Sequence, residues 1–411
     1  MDRKKNTKVS IYMPTAAPPF RVAFYVDGYW GGEATSRALR HKVEALSGRE
    51  TAKRFDYRIF CAGTNMANPR IRVLRNFHDL VTDAFFEAAD LHVFEFGWHY
   101  DIFDAILFCP EQSRTAAFYH GITPIELCAD QDKARRSHMQ KRNLLTADRV
   151  FCASPYTLSD LARFGVAPDR LRLLPLPVSL TPRGAVSKAS DGPIELLHVG
   201  RLTPHKGAFD LVRAMAGLAP GLAVKLRIVG GRDEKVAPGY HESLKQFIAA
   251  NDLGDVVELV GGVGNDADLS ALYARAEAVI LPSYHDGYCL PVIEAFAHGC
   301  HVIAYDGANL PNIANGLGML VPQGDIGALG AAIAAFVAAV AEARRGGTTP
   351  VIATSSGPVA LDRHRLALAA YTQRFDRRLF EGSFLGQVED LLIRPPAPAG
   401  GRIARPDFPR L

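Results

Sequence analysis

Residues 283–299 read SYHDGYCLPVIEAFAHG, and two acids, Asp286 and Glu294, stand on either side of an expected helix start. The apolar run EAVILP before them delivers the chain to a sheet edge at Ser283. Pro291 suits the first helical position, where a missing N–H has no partner to lose, and Gly299 suits the position just past the end. Unpaired N–H groups near Tyr288, Cys289 and Leu290, with the helix dipole behind them, then form a cradle for a diphosphate. Read into the first turn, Glu294 is placed to accept from a diol such as a ribose, and Asp286 on the loop from the hydroxyls of a second ring. The acids bracket the anion and need not touch it. The plainer alternative has Asp286 capping a turn and Glu294 complementing the dipole. Strand, Gly287 and Pro291 together favour the ligand site.

A second group is HVGRLTPHKGAFDLV, residues 198–212. A strand runs into Gly200 and Arg201, and a short loop follows before Lys206 and Gly207 open a helix. Arg201 and Lys206 thus come from opposite ends of one loop and converge on one anion, a planar fork beside a point charge. Gly230, in KLRIVGG, ends the next strand on the same, donor-binding side. Two ordinary solvated cations are the alternative. The third group is YHGITPIEL, residues 119–127, where His120 follows an apolar strand directly and is expected at its carboxyl end, facing a cleft. Unaided, a lone histidine serves packing as often as chemistry. Glu95 in VFEFG and the Gly31-Gly32 turn occupy equivalent topological positions and are read as shaping an acceptor side.

These loops need strands to carry them. From RVAFYVDGYWGG onward, apolar strands alternate with helical stretches as far as about residue 170, the pattern of a parallel sheet covered on both faces. The prolines, glycines and small polar residues of 171–193 break the pattern and read as an interdomain linker, placed in its narrower form at 181–193. The alternation then restarts over 194–361. The predicted fold is α/β: two doubly wound Rossmann-like domains facing across a cleft, with ligands beyond the carboxyl ends of the strands. Residues 362–394 read as helices that cross back to the first domain, and 395–411 as a flexible tail.

Bulk properties narrow the class. A chain of 411 residues, 48% hydrophobic and 22% charged, supports two packed cores. A net charge of +4 argues against nucleic acid as the main partner. The six cysteines, Cys61, Cys109, Cys128, Cys152, Cys289 and Cys300, show no metal spacing and fit a reducing cytoplasm. The basic opening MDRKKNTKVSIYMP does not read as a leader, and IGALGAAIAAFVAAVAEARR (326–345) reads as a packed helix, not a membrane span. DQD (130–132) and DAD (266–268) resemble metal-holding acid pairs but stand in helical contexts, so no metal is expected. GGVGND (261–266) lacks the third glycine of a dinucleotide fingerprint, and Arg135, Arg136, Lys141 and Arg142 read as a solvated helix face.

Taken jointly, GRLTPHKG, DGYCLPVIE and ADRVFCASPYTLSDL resemble the group 1 glycosyltransferases of glycosyltransferase family 4, which have the GT-B fold. YHGITP and the stretch from HESLKQFI to AFAHG resemble bacterial polysaccharide-assembly members of that family. The similarity covers most of residues 20–325 and is strongest over 195–305. It implies retaining transfer of a sugar from a nucleotide-diphosphate donor, UDP- or GDP-linked, to a glycan or lipid-linked acceptor, with no cofactor and no required metal. Arg201 and Lys206 match the family's diphosphate-binding pair, and Glu294 the second acid of its paired-acid motif, which binds the donor ribose. Asp286 stands where the first acid does, near the transferred sugar, and Gly287, Tyr288, Cys289 and Leu290 match the loop whose amides meet sugar and phosphate. His120 resembles the histidine that contacts the transferred sugar, so His120, Asp286, Arg201 and Lys206 are the expected catalytic set. The chain departs from the family where the first acid is Asp, one methylene short of Glu, where the usual Phe is Tyr288, and where His301 replaces a usual proline. A cytoplasmic enzyme with peripheral contact to the inner membrane face is expected; the oligomeric state stays open.

Overall fold

Strands buried at every residue must lie inside a sheet covered on both faces. In the computed structural model β4 (Leu91–Phe96) and β5 (Arg114–Tyr119) are such strands, at the middle of a seven-stranded parallel sheet. The structure describes residues 18–393 apart from Gly32, Ser179, 181–187, 189–190, 219–222 and 233–235. The other strands of that sheet are β1 (Phe20–Tyr29), β2 (Phe55–Thr64), β3 (Ile71–Val73), β6 (Arg149–Cys152) and β7 (Leu171–Leu173). Their spatial order is β3-β2-β1-β4-β5-β6-β7. A second parallel sheet holds β8 (Ile194–Val199), β9 (Val224–Val229), β10 (Val257–Gly261), β11 (Ala278–Leu281), β12 (His301–Asp306) and β13 (Met319–Pro322), in the order β10-β9-β8-β11-β12-β13.

In each sheet the strand order reverses once. In the first the reversal lies between β1 and β4, which pair from Val22 with Leu91. In the second it lies between β8 and β11, which pair from Ala278 with Leu196. Chains leaving such a pair diverge to opposite faces and open a crevice at the carboxyl edge. Gly31 and Glu95 therefore belong to one switch point, and Gly200, Arg201 and the loop 282–289 to the other.

Some elements differ from the sequence reading. Leu171–Leu173, read at the start of the linker, is β7, the edge strand beside β6. Most of the linker proper, 181–193, and the tail lie outside the described residues. The basic run is not on one helix: Arg135 and Arg136 lie on the helix Gln131–Gln140, and Lys141 and Arg142 on a 3-10 segment, Lys141–Thr146, that follows it. An unread hairpin, β14 (Val351–Thr354) with β15 (Gly357–Ala360), closes the second domain.

Helix Ile326–Gly346 is long and apolar enough to cross a membrane by length and composition. Here it buries Leu329, Ile333, Phe336, Val337 and Val340 in the second domain's core. Helix Leu361–Thr372 lies on helix Leu290–Ala297, and helix Arg377–Ile393 lies on helix Ala34–Ser47 of the first domain. Arg149 bonds Asp390 at 2.8 Å and Arg114 Nε donates to the Leu391 carbonyl at 3.1 Å, which clamps the last helix to the first sheet.

Candidate functional site

On the second domain the site is built by two strand ends that touch. A Cβ on Gly230, after β9, would lie 1.8 Å from the Gly200 carbonyl oxygen after β8, so the two backbones touch only because residue 230 is glycine. The chain then makes a 3-10 turn, Pro204–Lys206, and passes through Gly207 at φ 69° into helix Ala208–Ala216. A Cβ on Gly207 would sit 1.9 Å from the Pro282 carbonyl, which locks this turn against the start of the 282–289 loop. The result is a direct meeting of the two sequence motifs: the Lys206 ammonium donates to the Asp286 carboxylate and reaches the His285 carbonyl at 3.5 Å. Burial pushes the Asp286 carboxyl up, but Lys206 overcomes this and holds it below its ordinary value. Arg201 stands exposed at the strand end. It acts across the cleft on Cys128, where burial raises the thiol and the guanidinium opposes it.

Helix Leu290–Ala297 starts as the sequence suggests, one residue earlier: Leu290 is its first residue and Pro291 its second. Cys289 caps it at φ 70°, a left-handed conformation. Among the described residues, the N–H groups of Tyr288, Cys289 and Leu290 meet no acceptor, as at a helix start, and the three residues are buried. The Tyr288 side chain is turned away from this start: its hydroxyl donates to the Leu176 carbonyl at 2.6 Å and pins the loop to the segment after β7.

The first domain supplies the opposite wall. His120 follows β5 and lies against Gly97, and its backbone meets the 282–289 loop. A Cβ on Gly287 would be 1.9 Å from the His120 carbonyl oxygen. The Ser154 hydroxyl, which caps helix Pro155–Phe164, also donates to the Gly287 carbonyl at 2.6 Å. The structure thus brings His120, Asp286, Gly287 and Lys206 to one place, with Arg201 at its rim.

Two expectations are corrected. Glu294 is not in the first turn but is the fifth residue of its helix, and it is fully buried. Its carboxylate accepts from the Tyr273 hydroxyl at 3.0 Å and pairs with Arg37 of the first domain at 3.2 Å. The Glu294 side chain has no exposed surface for a diol to meet. Glu95 does not face an acceptor either: its side chain is wholly buried, bonded by Lys42 and by His120. Of the Gly31-Gly32 turn, Gly31 is exposed and its N–H donates to Asn65 at 2.9 Å, while Gly32 lies outside the described residues. Sequence reasoning missed Arg37 and Ser154, whose roles depend on how the domains meet, and Tyr273, which reaches Glu294 from a neighbouring helix of the same domain. Lys42 did carry a signal, because it sits three residues after Leu39 and four before Leu46, on an otherwise apolar stripe.

Buried, neutral histidines stand at and behind the site. Burial, reinforced by Lys206, lowers His205 to about 3, and burial lowers His198 and His285 to about 4. In the unfolded chain these rings protonate as pH falls through about 6.5. Between about 6.5 and 4 the unfolded state binds more protons, so stability falls on acidification, each ring contributing up to about 1.4 kcal/mol per pH unit. Calorimetry is expected to show a Tm clearly lower at pH 5 than at pH 7.5.

Residues 185–345 match the family model described as glycosyl transferases group 1. The chain carries a group 1 glycosyltransferase domain. The MMP alpha-(1->4)-mannosyltransferase of Mycolicibacterium hassiacum is 30% identical over 214 residues, 50% of this chain and 49% of that protein. A lipopolysaccharide core biosynthesis mannosyltransferase of Rhizobium leguminosarum is 31% identical over 196 residues, 47% of this chain and 50% of that protein. The chain spans about half the length of these curated relatives. Among solved structures, sucrose-phosphate synthase from Thermosynechococcus elongatus superposes with a TM-score of 0.67 at 23% identity, over 91% of this chain and 99% of that one. Anabaena HepE in complex with UDP gives 0.65 at 16%, over 90% and 100%. The group 1 glycosyltransferase domain therefore forms the second half of a two-domain GT-B fold.

Proposed function

We propose that the protein is a retaining glycosyltransferase that moves a sugar from a UDP- or GDP-linked donor to a hydroxyl of a glycan or lipid-linked acceptor. Its setting in this reading is cell-surface polysaccharide assembly at the cytoplasmic face of the membrane. The observation that carries it is the convergence of Lys206, Asp286 and a helix start with unpaired N–H groups on His120 of the facing domain. As the sugar–oxygen bond breaks, negative charge grows on the β-phosphate. Lys206, Arg201 and the amides of Tyr288, Cys289 and Leu290 are fixed where that charge forms, so no metal is required to meet it. The acceptor oxygen bonds to the anomeric carbon on the face the phosphate leaves, and the departing phosphate takes its proton. Contact of Gly287 with His120 and Ser154 keeps water from the reacting carbon. Two relatives named as mannosyltransferases favour mannose as the first sugar to test.

The test is a thermal-shift screen of nucleotide sugars, followed by product analysis with the donor that raises Tm. A true donor stabilises in proportion to its occupancy. Nucleotide release that depends on an acceptor supports transfer. A donor that binds without turnover marks a sugar-nucleotide-binding protein, acceptor-independent conversion of the donor marks an epimerase, and cleavage of a glycoside that requires added inorganic phosphate marks a phosphorylase; each outcome overturns the proposal.

A further inference from the structure

Behind His120 lies a chain of three polar groups in an otherwise apolar core. Lys42 and Glu95 have no exposed side-chain surface, and His120 is 17% exposed. The Lys42 ammonium donates to both Glu95 oxygens, at 2.7 and 2.8 Å, and stands 3.5 Å over the Phe118 ring. His120 Nε2 is 2.7 Å from Glu95 Oε2. Taking a carboxylate and an ammonium out of water costs several kcal/mol each, and a well-packed apolar pair is often no less stable. Such a pair beside a cleft residue therefore points to a task other than stability.

The chemistry of the contact defines the task. Burial raises the Glu95 carboxyl, but Lys42 and His120 together hold it below its ordinary value, so it stays ionised. An ionised carboxylate only accepts hydrogen bonds, so His120 must carry its hydrogen on Nε2. In the neutral ring Nδ1 is then the bare nitrogen. We infer that Glu95, held ionised by Lys42, is a positioning residue that fixes His120 as the Nε2–H tautomer and leaves Nδ1 to accept from a hydroxyl of the bound sugar. This rests on the transfer reading only for what Nδ1 meets; the tautomer itself does not.

The tautomer is read by 15N spectroscopy of histidine-labelled protein, with His120 assigned by its loss in His120→Gln. The wild type is expected to show a protonated Nε2 and a bare Nδ1. In Glu95→Gln the single amide oxygen is claimed by Lys42, which turns the amide nitrogen toward His120 and favours the opposite tautomer. Turnover is expected to fall about 100-fold, with the donor KM little changed. A Lys42→Met/Glu95→Leu variant removes both charges and keeps the core apolar, so it remains informative if Glu95→Gln does not fold. It is expected to lose the single tautomer and the same turnover. An Nδ1–H ring in the wild type, or a folded double variant with wild-type turnover, overturns the inference. A wild type that shows the expected tautomer yet transfers no sugar sinks the transfer reading and leaves the positioning of His120 standing.

Discussion

Gly287→Ala is expected to cut turnover by about 100-fold or more while leaving each domain folded. The added Cβ would lie 1.9 Å from the carbonyl oxygen of His120 and 3.3 Å from the Cα of Gly121, and both neighbours are backbone. No side chain can rotate out of the way, so the two domains must separate. Separation breaks the 2.6 Å bond from Ser154 to the Gly287 carbonyl and moves His120 off the Asp286 loop. Small-angle scattering would show the opening as a larger radius of gyration, and kinetics as loss of kcat. Gly264→Ala is the matched control, because a Cβ there meets nothing within 4 Å. Equal activity in the two variants, with unchanged scattering, would mean that the contact at Gly287 has no part in the reaction.

How much of this site the sequence discloses depends on the range of the interaction. The loop from Gly200 to Gly207 is legible because each of its features is local: a buried strand, glycines where backbones touch, and a lysine just before a helix. His120 is legible for the same reason, as the residue that directly follows a fully buried strand. Glu294 is only half legible. Its spacing from Asp286 places it on the right helix, but the rotation of that helix hides its carboxylate behind Tyr273 and Arg37. Arg37 sits on the first helix of the other domain, and nothing within that helix announces a partner so distant in the chain. Short elements fail for a different reason. A three-residue strand such as β3 or β7 contains hardly more than one alternation, too little to separate it from a loop. Lys42 and Glu95 show how a misplaced charge is best read. A lysine on an apolar stripe and a glutamate inside an apolar strand each require a buried counter-charge, and the fold makes them one another's.

Lys206 is the residue whose removal should separate catalysis from stability. In Lys206→Met the Asp286 carboxylate keeps its sheltered position but loses its cation. Both side chains are only partly buried, so breaking one side costs less than the roughly 3–5 kcal/mol of a fully buried pair, yet Tm should still fall in the absence of donor. Turnover should fall about 100- to 1000-fold, the usual loss when a fixed donor to a developing charge is removed. The second variant, Lys206→Met/Asp286→Asn, removes the stranded carboxylate as well. Its Tm is expected to return toward the wild type while its turnover stays as low as that of the single variant. Donor affinity in the double variant distinguishes two roles that the ligand-free contact leaves superposed. If Lys206 serves only to neutralise Asp286, the double variant recovers both stability and affinity for the donor nucleotide, while its turnover stays low in either case because Asp286 itself belongs to the expected catalytic set. If it meets the leaving phosphate, only stability returns, because the introduced amide satisfies the loop but supplies no positive charge to the anion. Isothermal titration with the donor nucleotide checks the same point without turnover, since both variants should bind it more weakly than the wild type.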